Sequence, residues 1–129
     1  MLLIKNFDQF LDALNLCETG IYTYEEVIST TPINPMEVEE FAAPIAEQFF
    51  TKTLLERKYF TVSLISIGAG DATRIDTEGR DVWLKCIQGE VHLPVANVML
   101  SEDDTYKLTA AERVENDAAA SGMVVMVKV

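Results

Sequence analysis

The chain has 129 residues, of which 49% are hydrophobic and 24% charged, a composition that excludes a disordered, collagen-like or coiled-coil protein. Ten Lys and Arg against 21 Asp and Glu give a net charge of −11, which repels phosphate backbones and anionic lipid and excludes nucleic acid and membrane surfaces as expected partners. Residues 1–50 carry nine acids and only Lys5, or −8, while the rest nets −3, so an acidic extension (1–45) is expected to precede a balanced body (46–129) within a single domain.

Asn6 is placed to cap a helix over residues 7–16, in which Phe7, Phe10, Leu11 and Leu14 follow the i, i+3, i+4, i+7 rule and Asp8 lies in the first turn. Thr19-Gly20 ends it. Ile21 to Ile28 is rich in aromatic and β-branched residues and reads as a strand, against the grain of Glu25 and Glu26. Thr30 to Met36, with Pro32 and Pro35, is a connector, and Asn34-Pro35 followed by Glu37 opens a short helix to about Ala43, stopped by Pro44.

From residue 46 the character becomes that of short strands. Phe49, Phe50, Thr51, Thr53 and Leu54 favour the first, and Glu56-Arg57-Lys58 separates it from an alternating segment, Tyr59 to Ile67, that ends at Gly68-Ala69-Gly70. Further strands are expected at 82–88, 90–93, 95–100, 105–108, 113–115 and 122–129, with turns at Gly79, Gly89 and Ser101–Asp104. Strands spaced this way suggest an antiparallel sandwich or barrel.

Cys17 and Cys86 are the only cysteines, outside any zinc spacing, and are expected to be free thiols. Met1 to Ile4 is far shorter than a signal-peptide core, and no run nears the ~18 apolar residues of a membrane span, so a cytoplasmic protein is expected.

The spacing of residues 59–129 resembles the cupin superfamily. Gly70, Asp76-x-Glu78, Val82 and Gly89 reproduce the spacing of the first cupin motif, Gly, His-x-His, Glu and Gly; Asp103 to Ala111 followed by Arg113-Val114-Glu115-Asn116 is similar to the second. The resemblance implies a jelly-roll barrel, hence a mainly β fold with a short N-terminal helical extension. In metal-dependent cupins the motif's histidines and glutamate hold a divalent ion. Here their positions carry Asp76, Glu78 and Val82, the second-motif His is absent with Glu112 or Arg113 nearest to it, and no metal or cofactor is expected.

Mapped by motif, Asp76, Glu78, Val82, Leu84 and Cys86 would look into the barrel, giving an apolar cavity with acid at its mouth. Ligand-binding candidates are therefore Asp76, Glu78, Leu84, Cys86, His92, Tyr106 and Arg113, with no catalytic residue named. His92 is the only histidine, no nucleophile elbow surrounds any serine, and Gly68-Ala69-Gly70 is not a dinucleotide fingerprint. The expected function is a non-catalytic cupin-like protein that binds a small organic molecule, a sugar or other metabolite, or serves as a sensory or structural module, with homodimer formation through exposed strands. The alternatives are an acidic module or inhibitor docking on a basic partner, and a metal-independent isomerase or epimerase using Asp76, Glu78, His92 or Arg113.

Overall fold

The computed structural model describes residues 4–42, 51–116 and 122–129. Expectations at Met1 to Leu3, at Ala43 and Pro44, at Phe49 and Phe50, and at the 45/46 boundary lie outside them.

Helix α1 (Phe7–Leu16) forms as expected. The Asn6 side chain accepts a hydrogen bond from the Gln9 N–H at 2.8 Å, and the helix buries Phe7, Phe10, Leu11, Ala13 and Leu14. A 3₁₀ turn, Cys17–Thr19, closes on Gly20 at φ 79°, a left-handed value glycine adopts without strain.

The expected strand over Ile21 to Ile28 is instead helix α2 (Tyr24–Thr30). Thr23 Oγ1 accepts from the Glu26 N–H at 3.1 Å, and Glu25 and Glu26 sit in the first turn, where acids favour the helix dipole. A cap and two acids outweighed β propensity. In α3 (Pro35–Ala42) the Asn34 side chain accepts from the Met36 N–H at 2.9 Å, and Pro35 loses no intrahelical bond at the first position.

Nine strands follow: β1 (Thr51–Glu56), β2 (Thr61–Ile67), β3 (Ala72–Ile75), β4 (Val82–Gln88), β5 (Val91–Leu93), β6 (Val98–Leu100), β7 (Thr105–Leu108), β8 (Glu112–Glu115) and β9 (Gly122–Lys128). They make two antiparallel sheets, ordered β1-β2-β9-β4-β7 and β3-β8-β5-β6. Strand β3 was not expected: four residues between two turns are too few for alternation to be seen. Strand β6 starts at Val98 rather than Val95, because residues 94–97 turn, with Asn97 at φ 56°.

The central strands of the five-stranded sheet, β2, β9 and β4, are buried on both faces. Ile65, Val82, Leu84, Cys86, Val124 and Met126 point toward the second sheet and pack with Ile75, Val91, Leu93, Leu100, Leu108 and Val114. The alternate residues Val62, Leu64, Ile87, Val125 and Val127 point the other way, beneath Phe10, Leu14, Val27, Ile28 and Val38 of the helical layer. Each fully buried side chain of this kind contributes about 1.5–3 kcal/mol.

Lys85 lies on the helix-facing side of β4 and is 1% exposed. Its Nζ donates to the Ile28 carbonyl of α2 at 2.9 Å and to the Asp103 carbonyl at 3.5 Å. A buried ammonium thus satisfies a carbonyl in the last turn of α2, where a cation suits the helix dipole. Burial lowers its pKa, and the charges of Asp103 and Asp104 oppose that shift.

Candidate functional site

The sequence-predicted residues are distributed over three places. Leu84, Cys86 and Tyr106 face the space between the sheets, with Leu84 opposite Tyr106 in the β4–β7 register. Leu84 and Cys86 are 0% exposed, and Tyr106 packs at the margin of the same cluster. At these positions the interior is therefore close-packed apolar material. Burial pushes the Cys86 thiol up to about 11, and its Sγ donates to the Gln88 and Gly89 carbonyls, so it is an inert thiol at neutral pH.

Asp76 and Glu78 do not point into the barrel. Strand β3 ends at Ile75, so both lie exposed in the following turn. Asp76 Oδ1 accepts from the Glu78 N–H at 3.0 Å, and Glu78, at φ 54°, places its carboxylate 3.2 Å from Lys128 Nζ. One acid shapes a turn and the other pairs with a lysine. Their motif spacing is kept while their direction differs, because the strand ends at Ile75, one residue before Asp76.

His92 and Arg113 lie on the outer face of the four-stranded sheet. His92 is opposite Glu115 in the β5–β8 register, with Nδ1 3.7 Å from Glu115 Oε2, and Arg113 Nε donates to Glu115 Oε1 at 2.5 Å. Glu115 thus joins the two.

The described residues at the motif's ligand positions do not fit a divalent metal. Val82, Leu84 and Cys86, which the resemblance sets toward the motif's ligand site, contribute two aliphatic side chains and a protonated thiol, and the one histidine faces outward. Among the described residues no three His, Cys, Asp or Glu side chains converge.

The structure does form a cavity of about 430 Å³ beside Arg113. It is lined by Ala72, Thr73 and Arg74 of β3, Ala111 to Arg113 at the start of β8, and Val95 of the β5–β6 turn. Its wall is held by Glu112, 6% exposed, whose Oε1 accepts from the Val95 and Ala96 N–H groups at 3.0 and 3.3 Å. These bonds fix the turn over the cavity and satisfy the buried carboxylate. Arg74 and Arg113 are direct partners in the β3–β8 register. Sequence reasoning found Arg113 and missed Thr73, Arg74, Glu112 as a wall, and Glu115. Only the β3–β8 register brings them together, and β3 carried no strand signal.

Comparison with solved structures gives matches of low identity over most of the chain. The cupin domain of an XRE-family transcriptional regulator from Enterobacter cloacae is 13% identical over 64% of this chain and 96% of its own, with a TM-score of 0.57. The TT1209 protein of Thermus thermophilus is 17% identical over 77% of this chain and 97% of its own, at 0.58. A Klebsiella pneumoniae protein with a double-stranded β-helix domain is 19% identical over 71% of this chain and 85% of its own, at 0.56. No family model and no curated protein matches the sequence. No helix among the described residues is long and apolar enough to cross a membrane.

Proposed function

We propose that this chain, whose fold is the cupin double-stranded β-helix, is a non-catalytic protein that binds a small organic molecule outside the barrel, in the cavity between β3, β8 and the β5–β6 turn. The observation that carries this is the cavity itself: its volume lies within the usual range for small-molecule sites, and it combines apolar walls with a few polar groups. Leu84 and Cys86, which face the barrel interior, are fully buried. Acid–base catalysis by Asp76 and Glu78 gains no support, since both are exposed and engaged in a turn and an ion pair.

The test is a thermal-shift panel of metabolites and divalent metals on the native chain and on Ala72→Trp, which fills the cavity from an exposed position. A ligand at about one hundred times its Kd adds ~2.7 kcal/mol, several degrees for a domain of this size. Stabilisation by an organic ligand that is lost in Ala72→Trp is expected. Stabilisation that survives Ala72→Trp, or that only a metal gives, refutes the proposal.

A second reading rests on the helical layer, where Asp8, Asp12, Glu18, Glu25 and Glu26 are all exposed. A basic protein partner would bind there with steep salt dependence, which a pull-down across ionic strength would measure. Homodimer formation is proposed through the outer face of the four-stranded sheet, where Met99 is 50% exposed; a monomer in sedimentation at high concentration would refute it.

A further inference from the structure

We infer that the occupant of this cavity is an organic monocarboxylate, held between the guanidinium groups of Arg74 and Arg113; the inference rests on the cavity being a binding site at all. Three observations converge on it.

The first is electrostatic. Arg74 and Arg113 are directly opposite each other on two antiparallel strands, an arrangement in which like charges repel and weaken the pair. Arg113 is partly relieved by Glu115 at 2.5 Å, whereas no ion pair among the described residues involves Arg74. In a chain with 21 acids and ten bases, a cationic side chain without a carboxylate beside a second cation leaves room for an anion supplied from outside. Two planar forks at one cavity suit an oxyanion that accepts from both.

The second is the balance of charge around the cavity. Glu112 lines it and Glu115 borders it through Arg113. Arg113 is paired with Glu115 while Arg74 has no ion pair among the described residues, so a ligand bearing a single negative charge balances the remaining cation, where a dianionic phosphate would carry a charge in excess beside Glu112. Glu112 does not compete for the arginines with its Oε1, which is engaged by two backbone N–H groups.

The third is the rest of the lining. Ala72, Val95 and Ala111 form an apolar flank beside the arginines, and Thr73 offers one hydroxyl. A carboxylate with a compact apolar body matches that division.

The experiment titrates benzoate, benzamide and phenyl phosphate into the full-length chain at low ionic strength, followed by backbone amide shifts. Benzoate is expected to shift residues 72–74 and 111–113 saturably and to bind about tenfold tighter than benzamide, its uncharged counterpart. Arg74→Gln, an exposed substitution that leaves the core untouched, is expected to weaken benzoate about tenfold and leave benzamide unchanged; Arg74→Lys should recover part of the loss. If benzoate and benzamide bind the cavity equally, or Arg74→Gln changes neither, the carboxylate inference falls while the cavity stands as a binding site. If phenyl phosphate binds tighter than benzoate, the occupant is a phosphate ester and the inference is overturned. If none of the three shifts these residues, both the inference and the cavity as a binding site fail.

Discussion

Lys85 provides the most informative perturbation of the fold. Its side chain is 1% exposed beneath α2 and donates to the Ile28 carbonyl at 2.9 Å. Lys85→Ala removes three buried methylenes with the ammonium and orphans that carbonyl. A cavity of this kind costs about 2–5 kcal/mol and an unsatisfied buried acceptor ~1–3 kcal/mol; with partial collapse of α2 the sum is about 3–5 kcal/mol, or roughly 10–20 °C in Tm. Lys85→Met keeps most of the volume and removes the charge, so its cost at neutral pH is smaller, under about 2 kcal/mol.

The pH dependence then isolates the ammonium. Burial lowers the folded-state pKa below that of the unfolded chain, so between the two values the unfolded chain binds more protons and stability rises with pH. The contribution is complete above the unfolded pKa and is lost as pH falls through the folded one. Native stability should therefore gain on Lys85→Met as pH rises through that window, by at most ~1.4 kcal/mol per pH unit. Denaturant unfolding of both chains from pH 7 to 11 measures it, and effects of the cysteines and tyrosines common to both cancel. A gap independent of pH, or a Lys85→Ala cost below about 1 kcal/mol, refutes the buried-ammonium account.

Gly122→Ala should destabilise by about 1–3 kcal/mol in chemical denaturation, since an added Cβ would lie 2.9 Å from the Glu90 carbonyl and 3.0 Å from Val91 Cγ1. Leu84→Ala, in the filled interior, should cost about 2–5 kcal/mol with no ligand-binding consequence. Cys86, with its thiol raised to about 11 and fully buried, should resist alkylation at pH 8 in the native chain and react at once in urea, as mass spectrometry would show. Asp76→Asn with Glu78→Gln should leave thermal shifts with Mn²⁺ or Zn²⁺ unchanged, since neither carboxylate faces a ligand set.

The sequence was legible where one pattern dominated. Strands β2, β4 and β9 are runs of apolar residues long enough to declare themselves, and α1 combined periodicity with a cap. The error at α2 came from weighing Ile21, Tyr22 and Tyr24 above Thr23 and Glu26, the very pair that closes the helix start. The cupin spacing placed Val82, Leu84 and Cys86 correctly toward the other sheet, because parity survives within one strand. It failed for Asp76 and Glu78, because parity does not survive a turn. The Arg74–Arg113 pair was out of reach, since residues 39 apart in the chain meet only through register.

Burial of β2, β9 and β4 on both faces has a consequence for where this protein can be cut. The helices precede the strands in the chain, which invites treating them as a detachable preface. Yet Val62, Leu64, Val125 and Val127 turn their outer side to the apolar side chains of the helices. A fragment beginning at the first strand would present a broad sticky wall and be drawn into association with its own kind. The junction between helices and strands is thus not a seam of folding, and any trimmed version must replace the helical cover before it can stay in solution as a monomer.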